Sequence, residues 1–152
     1  MSFPFRVARG LQALASAAVL VLSVSVADPQ KAYDVGASDT EIRLGQTQPY
    51  SGPASALSGI GKTELRYFKM INDNGGINGR KITLISYDDG YSPPKAVEHV
   101  RKLVESDEVL LIFQMNGTPS NAAVQKYLNA KKIPQLLSAT GTRRFFSRKE
   151  FP

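Results

Sequence analysis

Five consecutive apolar residues, Val109-Leu110-Leu111-Ile112-Phe113, constrain the fold more than any other stretch of the chain. The run has strand length and leaves no position to face water, so it reads as a strand buried on both faces. A parallel sheet covered by helices on both sides supplies such a position. The flanking patterns agree. Ile42 to Thr47 alternates apolar and polar residues, which predicts a first strand, and the turn-rich Gln48-Pro49-Tyr50-Ser51-Gly52-Pro53 follows. Leu57, Gly61, Leu65, Phe68 and Ile71 recur at helical spacing as far as Asn74-Gly75-Gly76, where glycine supplies a left-handed cap. Asn78-Gly79 is a tight-turn dipeptide, and Lys81 to Asp88 predicts a second strand. Pro93-Pro94 opens a helix with Val97, Val100, Leu103 and Val104 on its apolar face. Thr118-Pro119-Ser120 starts a third helix through Val124, Tyr127 and Leu128, and Ile133 to Leu137 predicts a fourth strand. This β-α-β-α-β-α-β order predicts an α/β, Rossmann-like fold, a parallel sheet with helices on both faces and right-handed crossovers.

Composition narrows the chemistry. With no Cys and one His among 152 residues, disulfides, thiolate zinc sites and multi-histidine metal sites are excluded. The formal charge of +6 hints at a nucleic-acid partner until its location is considered. Residues 1–27 read as a secretory signal peptide. Arg6 and Arg9 form the positive start, Leu11 to Val26 the apolar run, and Ser25-Val26-Ala27 the small-residue cleavage site. The run is about 16 residues, short of the roughly 20 that span a bilayer. Cleavage would remove two of the 19 Lys and Arg residues and leave a charge of +4.

In an open parallel sheet, ligands sit outside the carboxyl ends of the strands. Three loops gather there: Gln48 to Leu57, Gln114 to Asn121, and Ser138 to Thr142. All are rich in Gly, Ser, Thr and Asn, which present backbone N–H groups and hydroxyls to a small ligand. Two of them feed helix N-termini, which favour anions such as a carboxylate. None holds a nucleophile beside a base, so the loops suit binding rather than bond breaking, and the sequence points to no catalytic residue, cofactor or metal ligand.

Several segments occur in an order that carries a family resemblance: Pro49-Tyr50-Ser51-Gly52-Pro53, Ile71 to Lys81 (INDNGGINGRK), Tyr87-Asp88-Asp89 with Pro94-Lys95-Ala96-Val97, and Ile133-Pro134-Gln135-Leu136. Together they resemble the leucine/isoleucine/valine-binding proteins, the type I periplasmic solute-binding proteins of ABC importers. The resemblance spans about residues 38–152. It implies the first part of an N-terminal lobe, in proteins whose two α/β lobes close on an amino acid or similar solute. The expected division is a signal peptide at 1–27, a linker at 28–41 and a partial N-terminal lobe at 42–152. The resemblance places Leu57 where an aromatic often meets the ligand side chain. It matches Met115, Asn116, Gly117 and Thr118 to a loop that contacts the ligand carboxylate, and Ala139, Thr140 and Gly141 to a segment contacting carboxylate and amine. Ordinary structural roles stay open: Leu57 as the first core turn of its helix, Thr118 as an N-cap.

Other motifs have rival readings. Ala56 to Thr63 (ALSGIGKT) fits a relaxed P-loop, which would make the chain a nucleotide-binding enzyme. That mechanism needs a strand running straight into the glycine loop, whereas Lys62 falls inside a predicted helix. Asp88-Asp89 reads as turn chemistry ahead of Pro93-Pro94 more readily than as a metal or phosphoacceptor pair. His99 lies on the rim of a helical apolar face. Arg143, Arg144, Arg148 and Lys149, interleaved with Phe145, Phe146 and Phe151, could form a patch for nucleic acid or an anionic membrane. They align with a surface loop of the family, and no nucleic-acid partner is expected.

The resemblance thus implies a solute-binding component of an ABC importer, as a fragment. Its partners would be an amino acid-like small molecule and, for the full-length form, a membrane permease; its location would be the periplasm. A non-transport, receptor-like half domain is the alternative. One lobe offers only part of the contacts of a closed pair, so this chain alone is expected to bind solute weakly, toward the millimolar range, or not at all. N-terminal sequencing of the exported protein is expected to begin after Ala27; recovery of an intact Met1 or Ser2 end from a host envelope fraction would contradict cleavage.

Overall fold

A computed structural model describes residues 32–147. The expected signal peptide, and Arg148, Lys149 and Phe151 of the basic tail, lie outside the described residues. Four strands, β1 (Glu41–Gln48), β2 (Lys81–Asp88), β3 (Leu111–Phe113) and β4 (Gln135–Leu136), form a wholly parallel sheet in the order β2-β1-β3-β4. Helices α1 (Ser58–Asp73), α2 (Pro93–Glu105) and α3 (Thr118–Lys131) make the three crossovers.

The strand order decides which helix goes where. β1 to β2 steps one way across the sheet, while β2 to β3 and β3 to β4 step the other way. Crossovers of one hand then put α1 on one face and α2 with α3 on the other. Side chains agree, because successive residues of a strand point to opposite faces. Ile112 lies in a core with Ala96, Val100 and Leu103 of α2 and Val124 and Leu128 of α3. Its neighbour Phe113 instead meets Phe68 of α1 edge-to-face, with ring centroids 5.5 Å apart. On β1, Gly45 lets α2 approach closely: a Cβ there would stand 3.0 and 3.1 Å from the methyls of Leu103.

Local sequence sets the element ends. Past α1, Gly75 and Gly76 take φ of 95° and 75°. The Gly76 N–H donates to the Ile71 carbonyl and the Gly75 N–H to that of Asn72, the paired bonds of a Schellman cap. Asn78 and Gly79, both at positive φ, close a two-residue turn between Ile77 and Arg80. α2 opens at Pro93-Pro94 as its sequence predicts.

Some expectations change. The apolar run from Val109 gives a strand only over Leu111–Phe113, because Glu108 turns the chain at φ 52° and full pairing with β1 begins at Leu44 and Leu111. Leu111 and Phe113 are half-buried rather than sealed. β4 shrinks to two residues: Pro134 has no N–H to donate, and Leu137 leaves the strand at φ 56°. As the edge strand it leaves Leu136 and Leu137 exposed. Leu65, expected on the apolar face of α1, is also exposed.

The core has one keystone. Leu103 is fully buried between α2 and the sheet. Leu103→Ala is expected to cost about 2–5 kcal/mol, a large share of the roughly 5–15 kcal/mol by which such domains are stable. Urea denaturation should show a lower midpoint with an unchanged slope.

Candidate functional site

The candidate site lies at the carboxyl ends of β3 and β4, where both strands end in the same way. Gln114 and Leu137 follow them at φ 45° and 56°, a left-handed conformation uncommon outside glycine. Because the two kinks match, pairing resumes beyond them. The Gln114 N–H donates to the Leu136 carbonyl (2.8 Å), the Ala139 N–H to Met115 (3.0 Å) and the Gly117 N–H to Ala139 (3.0 Å), with Asn116 and Ala139 bridged. Met115–Thr118 and Ala139–Gly141 are therefore one continuous layer. At its top the hydroxyls of Thr118 and Thr140 are hydrogen-bonded, 2.6 Å apart.

The residues divide by task. Met115 is fully buried, and its carbonyl accepts from both Ala139 N–H and Asn121 Nδ2. Asn121, also buried, donates to the Gly117 carbonyl (2.7 Å) and accepts from Gln135 Nε2 (2.6 Å). These side chains hold the layer from beneath. Asn116 is nearly buried; Thr118, Ala139 and Thr140 are half-buried and Gly141 is exposed. Gly117, not Thr118, is the N-cap of α3, which corrects the capping alternative for Thr118; no side chain caps this helix. Its open N-terminus carries partial positive charge. Leu57 ends a short 3-10 turn (Ser55–Leu57) leading to α1, and at 42% exposed it is no core residue.

The loops after β1 and β2 are tied to each other by two acids. Asp88 Oδ1 accepts from the Ser51 and Gly90 N–H groups, both at 3.0 Å. Hydrogen bonds from the Ser51 side chain and these amides hold its carboxyl below the usual range. Asp89 is fully buried and accepts from the Thr47 hydroxyl (2.9 Å) and the Tyr91 N–H (2.8 Å). Both acids do turn chemistry, and no group of three His, Asp or Glu suited to a metal occurs among the described residues. Lys62 is exposed inside α1, fourteen residues past the end of β1 at Gln48, so no strand delivers it to a phosphate cradle. His99 stacks on Tyr87, whose hydroxyl donates to Asp107 (2.9 Å), a structural sandwich on α2.

Sequence reasoning missed a buried amide cluster on the α1 face. Gln48 Nε2 donates to Gln46 Oε1 (2.7 Å) and to Gln114 through its carbonyl (2.8 Å) and Oε1 (2.9 Å), tying the ends of β1 and β3. Gln46 Nε2, Gln48 Oε1 and Glu64 Oε2 are buried without a hydrogen-bond partner among the described residues. The signal was present: strand alternation puts Gln46 and Gln48 on the same face as Leu44, where an apolar core would have no use for them.

A parallel sheet whose strand order reverses direction at β1, with carboxyl-end loops offering amides and hydroxyls, is the topology at which open α/β folds bind ligands. Residues 41–152 match the periplasmic binding protein family, and the chain belongs to it. Among curated proteins none matches. Solved structures do. A possible leucine/isoleucine/valine-binding protein from Rhodopirellula baltica is 22% identical with a TM-score of 0.67, over 80% of this chain and 32% of its own. A fatty acid ABC transporter substrate-binding protein from Thermomonospora curvata is 30% identical, TM-score 0.57, over 67% and 26%. The branched-chain amino acid transporter substrate-binding protein of Streptococcus pneumoniae, in complex with isoleucine, is 20% identical, TM-score 0.63, over 69% and 30%. The chain spans between about a quarter and a third of the length of these proteins.

Glu64 supplies a pH test of the amide cluster. Burial raises its carboxyl above the usual value, against the lowering effect of the neighbouring Gln46 amide. A carboxyl that binds its proton more tightly when folded weakens the fold at neutral pH, and the penalty fades as pH falls through the raised value. Glu64→Gln is expected to stabilise the protein at pH 7 by up to about 1 kcal/mol, with the gain vanishing toward pH 4. Thermal unfolding followed by circular dichroism at the two pH values checks both sign and window.

Proposed function

We propose that this chain supplies one face of the solute site of an ABC importer's substrate-binding protein, working in the periplasm without catalysing a reaction. Family membership makes it a periplasmic binding protein, and the neighbouring structures are transporter substrate-binding proteins. The observation that carries the reading is the paired layer at the ends of β3 and β4. There the Thr118 and Thr140 hydroxyls meet, 2.6 Å apart, at the uncapped N-terminus of α3.

Such a place suits a carboxylate. Isoleucine and fatty acids, named for two of the neighbours, share that group and little else. Amides, hydroxyls and the helix end would bind it, with Asn116, Gly117, Thr118, Ala139, Thr140 and Gly141 around it. Met115 would support from below and Leu57 would face the rest of the solute from the α1 side. Amino acid-like or other small organic acids are the solute class, and a membrane permease is the transport partner.

Thr118→Val tests the reading by removing one hydroxyl with little change in shape. Titration of the isotope-labelled chain with isoleucine or octanoate into the millimolar range, followed by amide chemical shifts, should place the largest changes at Gly117, Thr118 and Thr140. The variant should weaken binding by about 1.5–3 kcal/mol, the worth of a hydrogen bond to a charged group. Unchanged affinity in a folded variant would remove Thr118 from the site.

A further inference from the structure

We propose that Tyr91 is a further solute-contacting residue, its ring fixed against Gly117 and its hydroxyl offered to the carboxylate bound there. The inference rests on the site proposed above and adds a group from a different loop.

The turn that carries Tyr91 is costly and well braced. Gly90 and Tyr91 stand at φ 55° and 62°, and the Ser92 N–H closes the turn on the Asp89 carbonyl (2.8 Å). A bulky aromatic in the left-handed region is a true outlier, and such strain persists only where the surroundings impose it. The surroundings are Asp89, fully buried, whose carboxylate accepts the Tyr91 N–H on one oxygen and the Thr47 hydroxyl on the other. Strand β1 thus holds the turn that follows β2.

The strain sets the direction of the ring. A Cβ on Gly117 would lie 2.7 Å from Tyr91 Cε2, 3.3 Å from Cδ2 and 3.4 Å from Cζ. The ring edge formed by Cδ2, Cε2 and Cζ therefore lies against Gly117, and Cζ bears the hydroxyl. Since β1 lies between β2 and β3, the side chain reaches past the end of β1 to the loop after β3. Tyr91 is half-buried, and its hydroxyl has no hydrogen-bond partner among the described residues. It is a donor held beside the loop whose next residue is Thr118.

Gly117 fits this account twice over. Its φ of 99° favours glycine, and the Tyr91 ring occupies the space a side chain would need.

Three proteins are compared, wild type, Tyr91→Phe and Thr118→Val, each titrated with isoleucine and with octanoate and followed by amide chemical shifts. Tyr91→Phe should keep the Gly117 proton shifts of the free protein, since the ring remains, and should raise the dissociation constant about tenfold or more for both carboxylates. Tyr91→Ala should displace the free Gly117 shifts, which separates loop positioning from direct contact. Affinity unchanged in Tyr91→Phe, while Thr118→Val binds weakly, would overturn the role of Tyr91 and leave the site standing. Absence of binding of either probe to the wild-type chain up to 50 mM, about the limit such shifts reach, would overturn the site and this assignment together.

Discussion

The position of β1 between β2 and β3 is the constraint on which the rest of the molecule depends. A strand paired on both sides cannot follow its two neighbours into the same crossover direction. The chain therefore leaves β1 toward one face with α1 and leaves β3 toward the other with α3, and a crevice opens between the diverging loops. Closing that crevice with hydrocarbon would deny a ligand its entrance. The sheet is instead knitted there by polar groups: Gln48 links β1 to Gln114 after β3, and Thr47 links β1 to Asp89 after β2.

That choice has a structural consequence. Apolar packing tolerates sliding, but a buried carboxylate with two donors has one geometry, because losing either bond leaves a charge without compensation. Asp89 thereby registers the loop after β2 against β1, and the Gly117–Ala139 ladder registers the loop after β3 against that after β4. The four carboxyl-end loops are fixed in pairs while α1, α2 and α3 pack on the faces below. Rigid placement of loops on a scaffold is what a binding site requires, since each disordered donor would cost entropy when a ligand arrives.

Much of this was legible in the residues, and the losses have physical causes. Periodicity identified the four strands and three α-helices of the described residues, because alternation and helical spacing report which side of an element is dry. It overran at Val109 and at Ile133 because hydrophobicity marks burial, whereas strand pairing also needs an N–H and an extended backbone; Pro134 lacks the first, and Glu108 and Leu137 depart from the second. The pairing of Met115–Thr118 with Ala139–Gly141 was foreseeable as two loops but not as one ladder. It depends on Gln114 and Leu137 sharing a left-handed kink, which nothing in their side chains announces. Tyr91 was invisible for the same reason: a tyrosine after Asp-Asp-Gly looks like turn filler until φ places its ring on Gly117.

Electrostatics completes the account of why two acids can stand near a proposed carboxylate site. Like charges close together would repel the solute by more than one hydrogen bond could recover in a poorly solvated crevice. Each acid is compensated locally before a ligand arrives. Asp88 is exposed to water, and the Ser51 side chain, with the Ser51 and Gly90 amides, holds its carboxyl below the usual value; Asp89 receives the Thr47 hydroxyl and the Tyr91 amide. The donors of Met115–Thr118 and Ala139–Gly141 need not neutralise either one. No Lys or Arg stands within those two segments, so attraction for an anion there comes from dipoles, amides and hydroxyls fixed in direction. A carboxylate site of that kind would read the shape of the group as well as its charge, and would release its solute more readily than one built on a buried ion pair, whose separation leaves two uncompensated charges.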